Sequence, residues 1–170
     1  FVFDNTTDRG VELWVGNASD GSVRRIEGAR LNTILGGSVQ WLGGKRELLV
    51  TLVPADLGPV PQKAAVPPGP EMKEAIDGKG ESSTYEARDT LSSPEDEALF
   101  DHFAISQLAT VDLASGKVSR IGKPAVYADV DAAPDGRHVL VQVLKRPYSY
   151  VTTYGRFGHD MQVLDLAEGS

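Results

Sequence analysis

The sequence predicts an all-β fold assembled from repeated four-stranded antiparallel units. Three observations carry this. Short runs with strand character alternate with turn clusters along most of the chain. Two different hairpin turns take turns with one another. Each turn type then returns further along in the same phase, which is the mark of an internal repeat.

The elements follow in order. Phe1-Val2-Phe3 has strand character. Val11 to Val15 is apolar-rich, and Asn17-Ala18-Ser19-Asp20-Gly21 is a turn cluster before the strand Ser22 to Ile26. Asp-Gly is the pair that a tight hairpin turn needs, because glycine accepts positive φ. Ser38 to Leu42 leads through Gly43-Gly44-Lys45 into Glu47 to Val53, a strong strand that Pro54 stops. The first pattern recurs as Gln107 to Leu113, the turn Ala114-Ser115-Gly116-Lys117, and Val118 to Ile121. Setting Gly21 on Gly116 also sets Val23 on Val118 and Ile26 on Ile121. A third copy starts at Met161 and reaches Gly169 in phase. The second pattern recurs as Val130 to Arg137, with the turn Pro134-Asp135-Gly136, followed by His138 to Leu144. There Val139, Val141 and Val143 recur at the period of a half-buried strand.

The two hairpin types together make a four-stranded unit, and its last two copies stand about 53 residues apart, close to the ~40–50 of a propeller blade. The expectation is a partial β-propeller of two to three four-stranded antiparallel blades. A closed propeller needs roughly four to eight, so either further blades lie outside residues 1–170 or the chain associates to cover its ends. Both termini read as cut from something longer.

One segment interrupts the rhythm, an insertion at about residues 56–104. Its first half is Pro-rich, with Pro59, Pro61, Pro67, Pro68 and Pro70, and cannot enter a sheet ladder. Its second half predicts a helix. Ser93 is the N-cap, Pro94 the first helical residue, Glu95-Asp96-Glu97 the acidic first turn, and Ala98, Leu99, Phe100 and Phe103 the apolar residues.

Composition narrows the function classes. A formal net charge of -7 argues against a nucleic-acid partner. The absence of cysteine excludes disulfides, thiolate-bound zinc and a thiol nucleophile. No apolar run reaches the ~20 residues of a membrane helix, so no membrane partner is expected. Gly36-Gly37-Ser38-Val39-Gln40 lacks the second glycine of a nucleophile elbow. His102, His138 and His159 share no metal-ligand spacing, and Asp129, Asp131 and Asp135 fail the spacing of a calcium loop. The sequence therefore assigns no catalytic residue, no metal and no cofactor.

Leu144-Lys145-Arg146-Pro147-Tyr148-Ser149-Tyr150, followed by Tyr154-Gly155-Arg156-Phe157, concentrates tyrosine and arginine where plain turn chemistry would suffice. Three blocks carry a family likeness. They are Val53-Pro54 with the Pro-rich loop to Pro70, then Asp96-Glu97-Ala98-Leu99-Phe100 running into Ser106 to Leu113, and Pro134-Asp135-Gly136 through Arg146 to Phe157. Together they resemble the propeller domain of the glutamyl endopeptidase branch of the prolyl oligopeptidase family of serine peptidases. The resemblance implies a larger parent, in which a propeller restricts peptide access to a separate α/β-hydrolase domain bearing the catalytic Ser, Asp and His. That domain is absent from this chain. The implied partners are peptide substrates, cleaved after glutamate, together with the hydrolase domain and the remaining blades. The compartment stays open between a plastid and a bacterial cytoplasm or periplasm.

A glutamate side chain calls for a cation, and arginine offers a two-pronged clamp for a carboxylate. Arg146 and Arg156 are the candidate substrate-binding residues, and the alternative for each is a structural pairing with aspartate or tyrosine. The acidic run Glu95-Asp96-Glu97 is a second candidate, for a peptide's free amine. The alternative function is a non-enzymatic propeller that serves as a scaffold for protein interaction.

Overall fold

A computed structural model describes residues 1–44, 46–62 and 90–168 of the chain. The expectations at Pro67, Pro68, Pro70, Lys45 and Gly169 fall outside the described residues.

Among the described residues the fold is antiparallel β-sheet with a single α-helix, and it is not closed on itself. The strands are β1 (Val2–Thr7), β2 (Gly10–Gly16), β3 (Val23–Leu31), β4 (Val39–Trp41), β5 (Glu47–Leu52), β6 (Ile105–Asp112), β7 (Val118–Ala132), β8 (His138–Leu144) and β9 (His159–Asp165). The helix α1 (Pro94–Ala104) precedes β6. Hydrogen-bonded neighbours run β1-β2-β3-β5-β6-β7-β8-β9, with β4 on β5.

The pairing is uneven, and the unevenness creates layers. β3 touches β5 through one pair, Leu31 with Leu52. The long strand β7 pairs with β6 through residues up to Val126 and with β8 from Tyr127 onward, with a register shift in each ladder. Such shifts bend a strand and raise its local twist, so β7 leaves one layer and enters the next. At the first shift the buried Gln107 side chain donates to Ile121 O at 2.6 Å and to Leu108 O at 3.0 Å.

Three layers result: β1–β3, then β4–β6 with the first half of β7, then the second half of β7 with β8 and β9. Leu13, Ile26, Ala29 and Leu31 of the first layer pack against Leu48, Val50, Ala109 and Val111 of the second. Leu49, Leu108 and Ile121 on the other side of the second layer pack against Tyr127, Val139 and Val141 of the third. The unbroken apolar run of β5 has this cause. Successive strand residues point to opposite faces, and both faces of the middle layer are covered. Across the second interface Gln40 donates from Nε2 to Val130 O and accepts at Oε1 from Ala132 N at 2.9 Å.

The turns behave as the sequence requires. Gly21, Gly44, Gly116 and Gly136 have φ of 71°, 70°, 77° and 64°. Gly43 is needed for another reason: a Cβ there would lie 2.3 Å from the Pro134 carbonyl oxygen, because the turns of two layers meet backbone to backbone. Asp135 Oδ1 accepts from the amides of Arg137 and His138 at 2.8 and 3.0 Å. Its Oδ2 lies 2.6 Å from His138 Nδ1, so Asp135 serves its own turn.

Candidate functional site

The insertion returns to the sheet through α1. Ser93 caps it, its hydroxyl accepting from Asp96 N at 3.1 Å, and Pro94 opens the first turn. Pro lacks the N–H that the first helical position would leave unpaired in any case. The apolar side of α1 differs in detail from the sequence expectation. Phe103 is exposed, whereas Phe100 and Ala104, one turn apart, face the third hydrophobic cluster. Residues four apart share a helix face, and this pair decides which side meets the sheet.

Opposite α1 lies the connection after β8. Arg146-Pro147 is a cis peptide. Beyond it Tyr148, 8% exposed, stacks on Phe157 with ring centroids 5.0 Å apart. Phe100 meets both rings edge-on, at 5.3 Å from Tyr148 and 5.9 Å from Phe157. Edge-to-face contact sets the positive rim of one ring against the negative face of another. Tyr154, in the 3₁₀ turn Tyr154–Arg156, lies 6.5 Å from Phe100. Two of the three blocks that carry the family resemblance in the sequence are therefore in contact in space.

A polar network covers this aromatic cluster. Glu97 and Asp101 stand four residues apart on α1, one turn above the other. Arg146 bridges them, donating from Nη1 to Glu97 Oε2 at 2.7 Å and from Nε to Asp101 Oδ2 at 3.0 Å, with Nη2 also on Asp101. The Tyr148 hydroxyl donates to Asp101 Oδ1 at 2.6 Å. Arg146 Cζ lies 5.1 Å from the Tyr148 ring centroid, within cation–π range. Burial pushes the Tyr148 phenol above its ordinary pKa, and its hydrogen bond to the Asp101 carboxylate pushes the same way. Tyr150 is raised too, by desolvation first and then by Glu97. Asp101, and then Glu97, hold the Arg146 guanidinium more firmly charged.

The candidate residues thus have different surroundings. Arg146 uses its guanidinium on α1. Arg156 is exposed at the end of the 3₁₀ turn, and among the described residues no hydrogen bond or ion pair engages its side chain. Glu97 is taken up by Arg146. Asp96 accepts from the Ser92 amide at 3.0 Å and from the Ser92 hydroxyl. Glu95 is exposed in the first turn. Sequence reasoning missed Asp101, the residue on which Arg146 and Tyr148 converge. Its spacing of four from Glu97 was the available signal; what stands opposite that face was not in the sequence.

No family model matches the chain. Two curated proteins do. The "Probable glutamyl endopeptidase, chloroplastic" of Oryza sativa subsp. japonica is 35% identical over 160 residues, covering 91% of this chain. The protein of the same name from Arabidopsis thaliana is 34% identical over 154 residues, covering 89%. The chain belongs to the glutamyl endopeptidase family. It spans 16% of the length of each of these relatives, so what is aligned is one part of a much larger glutamyl endopeptidase.

Proposed function

We propose that this chain is a segment of the β-propeller of a serine peptidase, and that the propeller gates peptide access to a separate α/β-hydrolase domain. The full-length protein would cleave peptides after glutamate. The observation that carries the reading is the match, along nine-tenths of this chain, to a small part of two proteins named glutamyl endopeptidase. The layered repeat supports the propeller portion of the reading, since stacked four-stranded layers are how blades bury their faces.

Within this reading Arg146 and Arg156 are the substrate contacts, and they are not equivalent. Arg156 has no side-chain partner among the described residues, and its guanidinium can pair with a glutamate carboxylate. Arg146 reaches a substrate carboxylate only by exchanging Glu97 or Asp101 for it, and removing it also takes away one of the links to α1. Arg156 is therefore the position to test for specificity.

The test uses the full-length protein and a peptide panel that varies the residue before the scissile bond among Glu, Pro, Ala and Lys. Fastest cleavage after Glu supports the reading, and Arg156→Ala should then lower kcat/KM on the Glu peptide while sparing the others. Equal loss on every peptide removes Arg156 from the pocket. Cleavage after a different residue discards the arginine pocket altogether. A folded protein that cleaves none of them is better explained as an interaction scaffold.

A further inference from the structure

Two carboxylates hold Arg146, and they hold it differently. Asp101 takes the guanidinium side-on. Its Oδ2 accepts from Nε at 3.0 Å and also from Nη2, while its Oδ1 accepts from the buried Tyr148 hydroxyl at 2.6 Å. Both oxygens of Asp101 are thus engaged. The Tyr148 ring, 5.1 Å from Arg146 Cζ, supports the arginine from a second side. Glu97 takes the other end, its Oε2 accepting from Nη1 at 2.7 Å. An arginine with one edge locked by an internal carboxylate keeps its remaining N–H groups aimed at a second anion.

That second anion is itself a glutamate side chain. The Glu97 side chain is 15% exposed, against 33% for Asp101, so its carboxylate sits in a sheltered place. Tyr150 borders the same place, and desolvation first and then Glu97 raise its phenol. A guanidinium end and a phenol beside one carboxylate are the donors that a glutamate site needs. Both donors come from the connection after β8, whereas the carboxylate that meets them comes from α1.

We propose that Glu97 is a built-in stand-in for the substrate's glutamate: it occupies the Nη1 end of Arg146 that a peptide carboxylate takes, and so sets how strongly glutamate is selected. Asp101 keeps its side-on grip during the exchange and positions the arginine. One carboxylate leaves the guanidinium as another arrives, so Arg146 is never left without a counter-charge. The displaced Glu97 side chain turns to water, where a carboxylate is well solvated. The exchange removes one tie between α1 and the connection, and leaves those through Asp101 and Phe100. This inference rests on the reading of Arg146 as a substrate contact in a peptidase that cleaves after glutamate.

The test is steady-state kinetics of the full-length protein on two peptides that differ only in Glu or Gln before the scissile bond. Glutamine has nearly the same shape without the charge, so the ratio of kcat/KM for the two peptides reads recognition of the carboxylate. Glu97→Gln should raise this ratio about two- to fivefold, the size of a partly exposed ion pair, through a lower KM for the Glu peptide. Asp101→Asn should lower the ratio, because the arginine loses its side-on grip. Glu95→Gln removes the same charge from an exposed position in the same helix turn and should move the ratio far less. Circular dichroism checks folding, and Glu97→Ala is the second variant if Glu97→Gln unfolds. A wild type that prefers Glu, with a ratio that Glu97→Gln leaves unchanged, overturns the stand-in and spares the peptidase reading. An equal rise for Glu95→Gln overturns it as well, since the effect is then the charge of the helix and not the contact. A rise for Asp101→Asn overturns the division of roles between the two acids. A wild type that does not distinguish Glu from Gln overturns the glutamate reading and this inference with it.

Discussion

The link between α1 and the connection after β8 should be measurable as a coupling energy between Tyr148 and Asp101. The structure sets the size. Tyr148 is buried, and its hydroxyl makes one short hydrogen bond to an ionised acceptor. Bonds to charged groups contribute roughly 1.5–3 kcal/mol, but Asp101 is one-third exposed, and water can take over part of what it loses. Tyr148→Phe should therefore cost about 1–1.5 kcal/mol. Asp101→Ala should cost more, about 2–3 kcal/mol, because it leaves a buried hydroxyl unpaired. It also removes an Arg146 pair, which is half exposed on the arginine side and worth at most about 1 kcal/mol. Urea unfolding of both single variants and the double variant gives the coupling directly. A value of about 1–2 kcal/mol is expected for neighbours in one network. Additivity within experimental error would refute the contact, and with it the claim that α1 is fastened to this connection.

Three further outcomes follow from the same structure. Phe100→Ala removes a ring that meets Tyr148, Phe157 and Tyr154, and should destabilise by about 2–4 kcal/mol, read by urea unfolding with loss of near-ultraviolet tyrosine ellipticity. Gly43→Ala places a methyl against the Pro134 carbonyl, where only backbone movement relieves the clash. A loss of about 1–3 kcal/mol is expected by thermal unfolding, against little change for alanine at Gly58, whose surroundings are open. The third outcome concerns pH. The hydrogen bond to His138, then the amides of Arg137 and His138, hold the Asp135 carboxyl well below its ordinary value. A carboxylate depressed in the folded state stabilises above its unfolded pKa of about 3.9 and loses that contribution as pH falls through the folded one. Asp135→Asn should thus be less stable than wild type at pH 7, with the gap in thermal midpoint narrowing below about pH 4. An unchanged gap would show that the turn does not depend on the charge.

The hairpins were legible because they are local. Asp-Gly and Ser-Gly turns, period-2 alternation at Val139 and Val141, and the phase shared by Gly21 and Gly116 all depend on residues close in sequence. The helix start at Ser93-Pro94 was legible for the same reason, since a cap is a short-range device. The face that α1 presents was not. Phe103 and Phe100 are equally apolar, and only the Tyr148–Phe157 stack decides that Phe100 turns inward. The arginines divide similarly. Arg146 and Arg156 are alike as letters, but the distant Glu97 and Asp101 occupy the first guanidinium, while the second has no partner among the described residues. By itself, then, the sequence determined the strands, the turns, the repeat and the family blocks, each encoded within a few neighbouring residues. Only the tertiary structure decided how β7 divides between two layers, which side of α1 meets the sheet, and what Arg146 holds, because those outcomes depend on contacts between segments that no local pattern relates.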